Sequence, residues 1–396
     1  MRKFVLLGCV SMLSACGGGG AQSVGSSAPP VTPGGSTTGT HSFVNPTQSK
    51  TYSAIGGVQH YQYSTQDNTN VQSNELYAGN ASTARNSGVS ITYNPRDAIF
   101  ELKISDGLAN VSQDLRFQDP AHRTDFGGAL EPQDGTPQLS RNSGVQYLQA
   151  GSSSGQLVFG PDSDTFPVGN ADASRDVSTF FFQKPGTETQ YVTFAGFVRN
   201  RTSIESVQID NNPPFLRQNH VLERGAWAYG ERTDNGAVPR TGTATFTGAM
   251  VASMVFNDQI DFNPSSPTYF QWIDGRATTT VDFGANSFAI SLTGNVLAPQ
   301  FDIFTDRSHT IQAGATFAAA GSGRIDLVNA GGFLGQMSSA SFTQPGGAVL
   351  NVNIAGSSVD GAFFGPAAQE VGGGFRIVGG TPDERIDILG AFTGKK

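Results

Sequence analysis

Cysteine is almost missing from this sequence: Cys9 and Cys16 are the only two in 396 residues. Both lie in the N-terminal segment, so the rest of the chain can form neither a disulfide nor a thiolate metal site. Its stability must come from core burial. Histidine is nearly as thin. His41, His60, His122, His220 and His309 are dispersed, with no H-x-x-x-H spacing to hold a metal. Serine is abundant, but no G-x-S-x-G elbow marks a nucleophile. No catalytic, cofactor-binding or metal-ligating residue is therefore expected, and the chain reads as no enzyme. Basic charge is short as well. With 24 Lys and Arg against 32 Asp and Glu, the chain is a poor partner for nucleic acid. Beyond the N-terminus no apolar run is long enough for a transmembrane helix, and no stretch keeps a helical period for more than about two turns.

Two weak signals fall away on inspection. The acidic runs PDSDTF (161–166) and NADASRD (170–176) lack the Gly and terminal Glu of a calcium loop, so they read as solvated acidic loops. The GGGG run at 17–20 has no Lys-Ser/Thr or helix behind it and reads as a spacer, not a phosphate loop.

The first residues carry an address. Met1-Arg2-Lys3 is a basic start, Phe4 to Leu13 is apolar, and Leu13-Ser14-Ala15-Cys16 follows. This resembles the signal and lipobox of bacterial lipoproteins. The resemblance implies that 1–15 is a signal peptide, that Cys16 is lipidated, and that Gly17, in place of Asp, sends the chain to the outer membrane. Several acyl chains hold firmly where one holds weakly. The other reading is an ordinary secretory signal that leaves Cys16 as a thiol. Loss of 1–15 removes two basic residues and no acid, leaving 22 against 32. Residues 16–47, rich in Gly, Ser, Thr and Pro, read as a flexible linker reaching about 30 Å.

The remainder is written in β-strands. Fifty glycines and 28 phenylalanines accompany short alternating runs that end in turn residues. Over 48–222 the pattern predicts hairpins at 87–107, 145–160 and 178–200, with irregular polar stretches at 110–143 and 161–177. NPPFLRQNH (212–220) is expected to join two domains. Over 223–396 about eight alternating strands, each followed by a turn, suggest an up-and-down antiparallel barrel. Examples are 277–296, 308–319, 348–365 and 385–394. Phe283, Phe288, Phe317, Ile354 and Ile386 are expected to point inward and fill the lumen. Ala313 and Ala315 leave room for a small cavity. Asp387 is expected to face water. Trp227 and Tyr229 share a strand face, either as an exposed contact patch or as a plug against a barrel end or the first domain.

The run Gly361-Ala362-Phe363-Phe364-Gly365-Pro366, the link Ala367–Glu370, the opening Gly372-Gly373-Gly374-Phe375 and the close Gly390-Ala391-Phe392 resemble the C-terminal signature of the transferrin-binding protein B family. GAWAYGE (225–231) with TGTATFTG (241–248) resembles the start of its barrel, and VDFGANSFAISLTG (281–294) its middle hairpin. The resemblance implies an all-β protein, with a β-rich handle-like domain (48–222) and an eight-stranded barrel (223–396). It also implies a one-turn helical link at 366–370. This chain has room for one handle–barrel lobe. One-lobed relatives bind varied ligands, among them haem proteins and complement regulators. The implied function is a surface-exposed, outer-membrane lipoprotein, anchored through Cys16. It would capture an extracellular protein or an iron or haem carrier and pass it to an integral outer-membrane transporter. Adhesion, masking from host defences or an envelope-structural role is the alternative. A membrane-inserted barrel fits poorly, because the strands look too polar outside to face lipid.

Overall fold

The computed structural model describes residues 42–66, 72–78, 88–106, 111–118, 135–139, 144–154, 172–257, 268–298, 311–381 and 384–396. They form three antiparallel sheets. The first runs β1 (Lys50–Ser53), β4 (Val89–Asn94), β5 (Ile99–Asp106) and β6 (Val111–Gln118). The second runs β3 (Gln72–Ala78), β2 (Ile55–Gln66), β10 (Phe215–Gly230), β9 (Val192–Val207), β8 (Ser174–Gln183) and β7 (Val145–Ser154). The third contains β11 (Thr243–Asn257), β12 (Thr268–Asp282), β13 (Ser287–Val296), β14 (Thr316–Asp326) and β15 (Gly332–Thr343). It continues through the short β16 (Val349–Asn351), β17 (Asn353–Phe364), β18 (Glu370–Thr381) and β19 (Glu384–Lys395). Pairing of β11 with β19 and of β14 with β15 closes it into the expected eight-stranded barrel.

The barrel follows its binary pattern. In β13, Phe288, Ile290 and Leu292 are buried while Ala289, Ser291, Thr293 and Asn295 are exposed. Period-two alternation with one wet face is what such a sequence dictates. The lumen is packed: Phe333 lies 4.8 Å from Phe288 and 5.5 Å from Phe363 between ring centres. Phe317 meets Phe342 at 5.3 Å. Phe283 and Ile386 are buried in this cluster, and Ile354 packs half-buried against it. An apolar interior with a polar exterior is the inverse of a water-filled membrane barrel.

The six-stranded sheet is covered on both sides. Phe180, Phe182, Phe197 and Trp227 pack toward Tyr52, Ile91, Leu102 and Phe117 of the first sheet. Phe181, Phe194, Val198 and Ala226 pack toward Ala249, Val251, Trp272 and Ala391 of the barrel wall. Two-sided burial removes the need for alternation, which is why STFFFQ (178–183) and VTFAGFV (192–198) read as continuous apolar runs.

Several expectations are corrected. GAWAYGE does not open the barrel: β10 sits between β2 and β9, and the boundary at 222/223 falls inside this strand. Phe215 begins β10, so 212–220 is mostly strand rather than linker. Trp227 and Tyr229 are buried in the sandwich of the first two sheets, which removes the exposed contact patch. β7 does not fold back on itself but pairs with β8; residues 155–160 lie outside the described ones. Val111–Gln118, expected to be irregular, is a strand. Around 308–319 the strand begins only at Thr316, and Ala313 is exposed. The link at 365–368 is a turn, not a helix, because Gly365 (φ 85°) and Ala368 (φ 54°) take left-handed conformations. In β18, a Cβ on Gly373 would stand 2.1 Å from the carbonyl oxygen of Asp360 and 2.9 Å from the Phe392 ring, an approach only glycine permits.

Candidate functional site

The strand ends sort the connections between two ends of the body. At one end lie short links: 184–191 between β8 and β9, 283–286 between β12 and β13, 327–331 between β14 and β15, and 365–369 between β17 and β18. At this near end the sandwich and barrel are tied together. The Glu370 carboxylate accepts the backbone N–H groups of Gln190 (2.7 Å), Tyr191 (2.8 Å) and Val192 (3.1 Å). Burial nonetheless holds its pKa above the ordinary carboxylate value, against the lowering effect of those hydrogen bonds. The Thr233 hydroxyl donates to Gly365 O at 2.5 Å. Connections 155–173 and 297–315 join strand ends at the opposite, far end, as do 67–71 and 258–267, while the longest connection, 119–144, leads back to the near-end start of β7. The acidic run 161–166 lies outside the described residues. From the second run, Asp176 is in β8 and takes a bidentate pair from Arg199 at 2.8 and 2.6 Å, a structural use rather than a calcium loop.

The segment after the linker docks at the near end. Phe43 packs edge-on against Tyr52 (5.4 Å) and Tyr229 (5.8 Å). Ser42 Oγ donates to Glu231 Oε1 at 3.1 Å, and Lys50 Nζ meets Glu231 Oε2 at 2.5 Å. Chain arrival and the 155–173 and 297–315 connections thus occupy opposite ends.

The seam between sandwich and barrel carries buried charge. Asp387, expected to face water, is 1% exposed and lies against the six-stranded sheet. Arg376 Nε donates to its Oδ1 at 3.0 Å, Arg376 Nη2 donates to Oδ2, and Gln59 Nε2 from β2 donates to both its carbonyl (3.0 Å) and Oδ1 (3.2 Å). Arg224 reaches across from β10 and stands 4.9 Å over the Phe270 ring, while Trp272 Nε1 donates to Gly135 O at 2.8 Å. From the sequence, Asp387 was legible only as an outward polar position. Nothing in a strand's alternation says whether its outer face meets water or another sheet.

The sandwich holds a second polar group. Glu223 accepts from Gln113 Nε2 (3.2 Å) and Arg199 Nη1 (3.4 Å), with His60 Nδ1 at 3.8 Å. His220 is buried beside Thr202 Oγ1 at 3.3 Å, and burial pushes its pKa down to about 3. His41, His122 and His309 lie outside the described residues. Among the described residues no cluster of His, Cys, Asp or Glu is arranged to hold a metal, and no helix is long and apolar enough to cross a membrane. Cys16, the expected lipidation site, also lies outside the described residues.

Comparison with known proteins places the barrel. Residues 238–396 match the family described as the C-lobe and N-lobe β-barrels of Tf-binding protein B. No curated protein matches the chain. Among solved structures, intact Ap-TbpB with its N and C lobes matches at 12% identity and TM-score 0.27, covering 87% of this chain and 78% of that one. A double mutant of transferrin-binding protein B from Haemophilus parasuis matches at 13% identity and TM-score 0.28. That match covers 87% of this chain but 60% of the other, so this chain spans about three fifths of that relative's length. Isotype 1 transferrin-binding protein B from serogroup B Neisseria meningitidis matches at 11% identity and TM-score 0.22, covering 88% and 77%.

Proposed function

Residues 238–396 belong to the transferrin-binding protein B barrel family, and from that premise we propose that this chain is a surface lipoprotein that captures an extracellular protein of the iron- or haem-carrier class without doing chemistry on it. Residues 1–15 serve as the signal, Cys16 carries the lipid, and 16–47 is the tether. The single observation that carries the reading is the polarity of the body. Residues 42–50 dock at one end, and the 155–173 connection of the sandwich and the 297–315 connection of the barrel join strand ends at the other. Loops held by a rigid scaffold are where recognition usually sits. A tether at the near end presents the far end to the medium. The filled lumen supports capture on the rim rather than passage through the barrel. Hand-over to an integral outer-membrane transporter fits this reading, since the bound cargo stays within the tether's reach of the membrane.

The test is affinity capture on intact cells, read by mass spectrometry and paired with growth on each captured carrier as sole iron source. Wild-type cells are expected to retain a carrier that cells lacking this chain do not. A Cys16→Ser variant should appear in the medium and lose the growth advantage. Surface display with no carrier bound and no growth defect on deletion would overturn the capture role and leave adhesion or masking in its place.

A further inference from the structure

We propose that the aromatic cavity beside the docked N-terminal segment is a binding site for a one-ring aromatic carboxylate. The cavity has a volume of about 200 Å³ and opens between the two sheets of the sandwich at the near end. An apolar cavity of about 150 Å³ accepts benzene, so this one has space for a single ring with one substituent. Phe43, Phe100 and Phe182 line it, with Phe100 and Phe182 only 4.7 Å apart. Such walls suit a flat apolar body.

The polar groups choose the substituent. Tyr229 lines the cavity and is 2% exposed, yet its hydroxyl has no hydrogen-bond partner among the described residues. The neighbouring Tyr52 hydroxyl is already directed to Glu231 at 3.4 Å. That hydroxyl borders the cavity, where it can donate to an acceptor that enters. Burial also holds the Tyr229 hydroxyl protonated, since its pKa is pushed well above the ordinary phenol value. It is therefore a donor, and a carboxylate is the strongest simple acceptor for it. Lys184 lines the same cavity, is exposed, and joins no ion pair among the described residues. It supplies a cation at the rim. The Glu231 carboxylate, which accepts from Tyr52, is paired with Lys50 at 2.5 Å and does not line the cavity.

This site stands apart from the capture surface at the far end, so either can fail without the other. It is tested by calorimetric titration of the purified chain with benzoate and, separately, with benzyl alcohol, which keeps the ring and removes the charge. Benzoate is expected to bind saturably and more tightly than benzyl alcohol. Tyr229→Phe should weaken benzoate by roughly tenfold or more, the scale of a hydrogen bond to a charged group. Lys184→Gln, an exposed change that leaves folding intact, should weaken benzoate by about two- to fivefold and leave benzyl alcohol unchanged. No saturable binding of benzoate up to about 10 mM, the weak limit for a ligand of this size, would overturn the assignment. So would benzoate affinity unaffected by Lys184→Gln.

Discussion

Barrel and sandwich hide polar groups in different places. The barrel lumen is a continuous cluster of aliphatic and aromatic side chains, and a buried ion pair, Arg376 with Asp387, lies on the outer wall. The sandwich instead brings charge between its sheets. Glu223, Arg199 and His60 sit on the side of the six-stranded sheet that faces β6, and Gln113 of β6 completes the group. The reason is topological. A closed barrel has one inside, which period-two alternation fills with apolar residues on every strand. A sheet covered on both faces has two insides and no wet face on which to place the polar half of its sequence. The barrel should therefore respond to changes in packing, and the sandwich to changes in charge.

The seam is where that division can be broken most severely. Asp387→Ala leaves Arg376 buried without its carboxylate, which should cost about 3–5 kcal/mol. Urea unfolding measures it. Replacing both members at once, Arg376→Met with Asp387→Leu, should recover most of the loss, because a well-packed apolar pair often equals a buried ion pair. If the double variant were as unstable as the single one, the ion pair would be a positioning device and the seam would not behave as packed core.

The next effect sharpens the contrast through pH. His220 in β10 is neutral in the fold because burial lowers its pKa to about 3, whereas an unfolded histidine titrates near 6.5. Between these values the unfolded chain binds more protons, so stability is full above about pH 6.5 and falls as pH is lowered toward 3. The slope approaches 1.4 kcal/mol per pH unit, or about 2 kcal/mol by pH 5. His220→Leu should flatten it. With Trp272→Phe as background, Trp227 is the remaining tryptophan and its fluorescence reports the sandwich. An unchanged acid slope in His220→Leu would place the proton-linked group elsewhere.

Legibility in the sequence followed the same divide. The barrel hairpin of 277–296 could be read directly, because Thr279, Val281 and Phe283 alternate with polar residues and a Gly-Ala-Asn turn separates them from Phe288, Ile290 and Leu292. β10 was misplaced because GAWAYG, buried on both faces, has no alternation to say which sheet owns it. Asp387 was misread because one outward polar residue looks the same whether it meets water or Gln59. The cavity was not legible at all: its tyrosines come from β1, β4 and β10, and only the sandwich topology brings them together.

The smallest effect tests the barrel's side of the comparison. Ile290→Val removes one buried methylene from a lumen position that is 3% exposed, and such changes cost about 0.5–1.5 kcal/mol. Ile290 packs within an apolar cluster, so the loss should be the same at pH 5 and pH 8. Unfolding measured at both values decides it. The pH-independence is the informative part. A penalty that grew in acid would mean that the lumen is coupled to the charged interior of the sandwich, and the two halves would then share one electrostatic core despite hiding their polar groups in different places.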